Sequence, residues 1–353
     1  MAADPFEPKS KRAGDGDHYI IAGEKYPRVT SILDLAPGSH LLAWHAKEAA
    51  LSAASIAYQL GGDEDLDDAA VLEFREKRAP YSSRSESDGL AEIRNWRSIM
   101  REAERYRDYR AWVGSTMHHA IYQFALGARI AGNELIEWLG ALGQKENLVP
   151  EPSLARFEEY GVDIYRKIAF DAKPYFESCV WFVETVQPEW LMNGLETCIY
   201  NPDEMYAGTA DVVMNIDASR WESAGFCRLP IPRVRLLGDW KSSKSLSKNV
   251  LYQMSAYAEA PLVHFMQTGE SVPAMEVDGV VALHVTPFAE KPVTPKLWGR
   301  WNNPDPVTSA YLAFCNLNAW YRAINDMPRA ERSRVLREPK PKAPKVGARP
   351  CPF

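Results

Sequence analysis

Apolar residues recur every third or fourth position through most of the first half of the chain, and every second position through much of the second half. The first period belongs to helices that bury one face, the second to strands. Residues 39–60 read as a helix, with Ser39 as its N-cap and Gly61-Gly62 as its stop. Helical patterns continue over 64–78, 88–110, 111–127, 132–145 and 152–173, interrupted by a polar break at 79–88. After about residue 178 the composition shifts to Val, Ile, Leu, Tyr and Trp. Strands are predicted at 179–186, 194–200, 207–216, 233–240 and 278–286, with a Gly- and Pro-containing connector at 219–232. A helix over 247–267 follows the 233–240 strand, and a last helix spans 305–325.

The ends read differently. Residues 1–17 have the Pro, Gly and charge of a disordered N-terminus, and 18–33 suggest a short hairpin and then a turn. Residues 328–353 form a basic, Pro-rich tail. The expected layout is a helical N-terminal region over 18–110 and an α/β core over 111–327. Three strands joined without helices predict a mixed central sheet flanked by helices.

Composition adds limits. The 353 residues carry a net charge of −6, which is not the signature of a whole-surface nucleic-acid binder. The charge is uneven: 62–73 are acidic, whereas 329–349 hold eight Lys or Arg against two Glu. The five cysteines are scattered and give no disulfide framework, zinc ribbon or iron–sulfur spacing. No apolar run suggests a membrane span or signal peptide, so a cytoplasmic location is expected.

Candidate chemistry lies near the middle. Ala207-Gly-Thr-Ala-Asp211 and Leu237-Gly-Asp-Trp-Lys241 each bring an aspartate to the end of a predicted strand. Strand alternation puts Asp239 and Lys241 on one face. Inward acids in apolar strands are costly unless paired or liganded. Hard oxygen donors of this kind suit Mg2+ or Mn2+, with Lys241 supplying positive charge to a transition state. The carbonyl of Trp240 offers one more oxygen. Gln253 and Tyr257, four apart, share a helix face.

These residues resemble the PD-(D/E)XK nuclease superfamily in its RecB-like exonuclease branch. Gly208-Thr-Ala-Asp211 matches its Gly-Thr-x-x-Asp motif, and Asp239-Trp-Lys241 its Asp/Glu-x-Lys motif, followed by the usual small hydroxyl residues Ser242 and Ser243. Gln253-Met-Ser-Ala-Tyr257 matches Gln-x-x-x-Tyr, and Gly114-Ser-Thr-Met-His118 matches Gly-Thr/Ser-x-x-His on an upstream helix. The four stand in the family's order across roughly 111–290; Val29-Thr-Ser-Ile-Leu33 and Trp44-His-Ala-Lys-Glu-Ala-Ala50 are a softer likeness to phage-encoded members. The family's upstream helix often continues His-x-x-x-Glu, but position 122 is Tyr, so Glu196 is the substitute carboxylate. The cysteine set of iron–sulfur members and a phosphate-binding loop are both missing from the sequence.

The resemblance implies a restriction-endonuclease-like core and a metal-dependent DNA exonuclease. His118, Asp211, Asp239 and the Trp240 carbonyl would bind Mg2+ or Mn2+. Asp211, Asp239, Lys241 and Glu196 would carry the chemistry, and Gln253, Tyr257, Ser242 and Ser243 would contact substrate. Partners implied are DNA ends or single strands and a phage recombination or annealing protein, with no membrane and with an oligomer open. The role implied is phage DNA replication, recombination or processing in the host cytoplasm. An endonuclease on the same core and a catalytically silent binding module are the alternatives.

Overall fold

The computed structural model describes residues 18–35, 96–130 and 134–326, apart from 160, 192–193, 244, 248, 266–267 and 288–291. The helices expected over 39–60 and 64–78, the polar break at 79–88, the N-terminal 1–17 and the tail from 328 lie outside the described residues.

The chain opens with a hairpin, β1 (His18–Ile21) and β2 (Glu24–Pro27), and a one-turn helix α1 (Val29–Leu33) where a turn was expected. Next come α2 (Trp96–Ala125), α3 (Glu134–Lys145), α4 (Glu151–Glu159) and α5 (Ile164–Val186). From Trp96 onward the patterns expected to part at 110–111 run as one helix, because no breaker separates them, and 88–95 lie outside the described residues. The pattern over 152–173 splits at Gly161, whose φ of 66° ends α4. Asp163 then caps α5 by accepting from the Arg166 N–H.

The strand expected at 179–186 is the second half of α5. Phe176, Cys179, Phe182 and Val186 are buried at helical spacing, whereas Trp181 and Val183 lie on the helix flanks. Packing against the sheet overrides the strand preference of these β-branched and aromatic residues.

The remaining elements are β3 (Glu189–Trp190), β4 (Thr197–Asn201), β5 (Tyr206–Ala210), β6 (Val212–Asp217), α6 (Ala218–Ser223), β7 (Arg233–Lys241), α7 (Val250–Ala258), β8 (Leu262–Phe265), β9 (Glu270–Pro273), β10 (Gly279–Val285), β11 (Val293–Gly299) and α8 (Pro306–Asp326). A mixed five-stranded sheet runs β11-β10-β7-β6-β3, with β7 and β10 parallel and the other pairs antiparallel. A second, antiparallel sheet runs β5-β4-β8-β9.

The predicted 207–216 strand is two strands in two sheets, parting at Asp211. The predicted 247–267 helix ends at Ala258, because Pro261 has no N–H for a helical bond, and Leu262 begins β8. The connector at 219–232 also contains most of the short α6.

The mixed sheet has helices on both faces. Val212, Met214, Leu236, Trp240 and Leu283 join Phe182 and Met117 in one core, under α2 and α5. Val213, Leu237, Val280 and Ala282 join Met254 and Phe314 in the other, under α7 and α8. Asp239 and Lys241, in phase with Leu237, belong to the α7 face. Among the described residues no helix is long and apolar enough to cross a membrane.

Candidate metal centre

The strand directions bring the candidate residues to one end of the mixed sheet. β7 and β10 are parallel, so Lys241 and His284 both lie at their C-terminal ends. β6 is antiparallel to β7, so its N-terminal end, beside Asp211, falls at that same end.

Asp211 and Glu196 meet through the β4–β5 ladder. Thr197 pairs with Ala210, and one position further on the Glu196 N–H donates to the Asp211 carbonyl at 2.9 Å. Glu196 holds this place with a left-handed φ of 46°, a conformation that L residues adopt at a cost. Before it, Gly194 lies so close to Val213 that an added Cβ would come within 2.5 Å of the Val213 Cβ.

His118 reaches this pair from α2. Its Nδ1 lies 3.4 Å from Asp211 Oδ2 and 3.9 Å from Glu196 Oε1. The three side chains each offer a ligand atom, all within 4.8 Å of one another. Burial pulls the His118 pKa down, but Asp211 and Glu196 outweigh it and hold the ring well above its ordinary value. The neighbouring His119 goes the other way, to about 4, through burial and the charge of His118.

The carboxylates divide in their turn. Burial pushes Glu196 up despite the nearby His118 ring, 3.9 Å away. Asp211 overcomes burial and is held low by His118, Lys241 and the Trp240 N–H. That N–H donates to Asp211 Oδ2 at 2.8 Å. In an antiparallel ladder a residue's N–H and C=O point to the same neighbour. The Trp240 carbonyl is therefore directed to the Asp211 side too. The Trp240 ring faces away, edge-on to Phe182 with centroids 5.5 Å apart.

Asp239 is 3% exposed. Its Oδ2 makes no directional hydrogen bond, and Lys241 Nζ lies 2.6 Å away as an ion contact. Burial lifts Asp239 to about 6, with Lys241 opposing and Asp211 adding to the rise. Lys241 is depressed by burial but raised on balance by Asp239 and Asp211, so it stays an ammonium. Asp239 is thus close enough to feel Asp211 and His118, while the tight donor group is His118, Glu196 and Asp211.

Helix α7 covers the other face. Gln253 Nε2 donates to the Tyr257 hydroxyl at 3.1 Å. The Tyr257 ring packs onto Gly208, where an added Cβ would sit 2.3 Å from its Cε1. Only glycine permits that approach. Burial first, then Tyr19, Asp239 and Asp211, hold the Tyr257 hydroxyl far above its usual range. Ser242 lies against Gly114 of α2, its Oγ 3.4 Å from where a Cβ would stand. Ser243 spends its hydroxyl on the Ser245 carbonyl at 2.8 Å.

The structure thus gathers His118, Glu196, Asp211, Asp239, Trp240 and Lys241 at one sheet end, with Gln253 and Tyr257 behind. Two neighbours were not read from the sequence. Tyr19 of the N-terminal hairpin shares a hydrogen bond with Thr209 Oγ1 at 2.9 Å, and His284 of β10 stands in register with Lys241. Neither belongs to a motif, so only the fold discloses them.

Two carboxylates and one imidazole within 4.8 Å of one another, with the buried Asp239 carboxylate nearby, are a donor set that suits a hard divalent cation. No protein-family model matches the chain, and no curated protein matches it.

Proposed function

We propose that this protein is a divalent-metal-dependent nuclease of the PD-(D/E)XK type, acting on DNA as an exonuclease. The observation that carries the reading is the placement of the His118–Glu196–Asp211 donor group beside the Asp239–Lys241 pair at one sheet end. A structural ion pair alone has no use for three more titratable groups at the same point. The choice of DNA ends as substrate rests on the motif resemblance.

In this reading His118, Glu196 and Asp211 hold Mg2+ or Mn2+, with the Trp240 carbonyl and Asp239 Oδ1 as further oxygens. An ion held there would supply Lewis-acid charge to the scissile phosphate and lower the pKa of an attacking water. The chain's own groups do the rest. Lys241 presents its ammonium to the phosphate and offsets the negative charge of the transition state. Asp239 holds that ammonium in place at 2.6 Å. The Trp240 N–H fixes one oxygen of Asp211. Glu196 accepts a proton from water when ionised, and Gln253 and Tyr257 steady the strand end from the α7 face.

Cleavage of end-labelled linear duplex, linear single strand and closed circular DNA tests this, with Mg2+, Mn2+ or EDTA. Metal-dependent loss of linear DNA alone supports the exonuclease. Cut circles convert the reading to an endonuclease, and binding without cleavage overturns the enzyme.

A further inference from the structure

His284 is absent from every motif, yet it lies next to Lys241. The two are register partners in the parallel β7–β10 pair, and such partners show their side chains on one face of the sheet. The preceding pair in phase, Asp239 with Ala282, puts the buried carboxylate on that face too. Strand spacing places the two backbones about 4.8 Å apart.

The imidazole has a defined job. Its Nε2 lies 2.6 Å from the Ser243 carbonyl oxygen. A carbonyl only accepts, so Nε2 is the protonated nitrogen and donates. Ser243 is two residues beyond Lys241, in the segment that leaves β7. The same segment is backed from the other side by Gly114 of α2, against which Ser242 packs. The Ser243 hydroxyl folds back onto Ser245 and gives the turn a second anchor.

We propose that His284 is a positioning residue for Lys241: its Nε2–H pins the Ser243 carbonyl and thereby keeps Lys241 over Asp239. A lysine side chain has four flexible torsions, and its ammonium is only as well placed as its backbone. At the end of a strand, where ladder hydrogen bonds stop, that backbone needs a separate anchor. The His284 clamp is that anchor. The inference deepens the nuclease reading and rests on it for its catalytic consequence, although the clamp itself has an independent readout.

The test compares wild type with His284→Ala and His284→Gln; the glutamine keeps an N–H donor of similar reach. The first readout is the rate at which an amine-acylating reagent modifies Lys241 in EDTA, followed by peptide mass spectrometry. The second is kcat and KM on an end-labelled oligonucleotide with Mg2+. His284→Ala is expected to speed Lys241 modification several-fold and to lower kcat about tenfold with KM little changed, since small misplacements of a reacting group are costly. His284→Gln is expected to restore both. Unchanged Lys241 modification in His284→Ala, or no restoration by glutamine, overturns the clamp. A wild type that cleaves no nucleic acid defeats the nuclease reading, whereas the acylation rates still decide the clamp.

Discussion

The backbone N–H of Trp240 donates to Asp211 Oδ2 at 2.8 Å, so the residue between Asp239 and Lys241 also aims the aspartate of the neighbouring strand. The two motifs are one mechanical unit. Asp211→Asn keeps an acceptor for this N–H but removes the charge. It is expected to abolish activity, with its stability change coming from the lost charge contacts to His118 and Lys241 rather than from an orphaned N–H. Asp211→Ala leaves the N–H without its partner and is expected to cost about 1–3 kcal/mol as well. Urea denaturation of both variants beside their cleavage rates checks the distinction.

Glu196 combines a left-handed backbone with a desolvated carboxylate. Both weigh against folding, and both serve ligand binding if Glu196 holds the ion. Glu196→Asn places a residue tolerant of that conformation there and deletes the charge. Thermal melting in EDTA is expected to show a gain of about 1 kcal/mol, since strained backbone costs that order. Mn2+ titration of the same variant is expected to show weakened binding. A variant both less stable and equally metal-competent contradicts the assignment.

The pH dependence of the metal-free protein has a defined sign. Asp239 is raised from 3.8 to about 6, so its folded form prefers the proton and stability falls as pH rises between those values. His118 is raised well above 6.5, so its contribution is complete below 6.5 and is lost as pH climbs through the folded value. Both effects run the same way. Melting temperature in EDTA is expected to decline from about pH 4 upward. Both protons must leave before the groups bind a cation, so the melting-temperature gain from Mg2+ is expected to grow with pH. A gain that shrinks as pH rises contradicts this picture.

Gly208 makes room for Tyr257. The Cβ of Gly208→Ala would meet the buried Tyr257 ring at 2.3 Å, so the paired strand or the ring must shift. The expected cost is about 1–3 kcal/mol of stability, the scale of overpacking in a core, read by denaturant unfolding. Gly114→Ala, whose Cβ would meet Ser242 at an ordinary 3.4 Å, is the matched control.

Parts of this arrangement were legible in the sequence because they depend on local pattern. Strand alternation alone put Asp239 and Lys241 on one face, and the strand holding them, β7, forms where expected. A mixed sheet was also expected, but its stated ground does not hold, since α6 lies between β6 and β7 and β4 belongs to the other sheet. The parting of β5 from β6 at Asp211 was not legible, since an uninterrupted apolar run carries no mark of a change of sheet. Cys179, Phe182 and Val186 misled for a related reason: their helical spacing is diluted by flanking β-branched and aromatic residues. The left-handed turn at Glu196 and the register of His284 with Lys241 are products of pairing between distant segments. Local propensity does not encode them.

All of the chemical claims stand on one: that His118, Glu196 and Asp211 hold a divalent ion. Mn2+ binding followed by electron paramagnetic resonance tests it most directly, on wild type beside His118→Ala and Glu196→Gln at neutral pH. Wild type is expected to bind Mn2+ in a form displaced by excess Mg2+, and both variants to lose that binding or show it much weakened. Equal Mn2+ binding by all three proteins would contradict the claim.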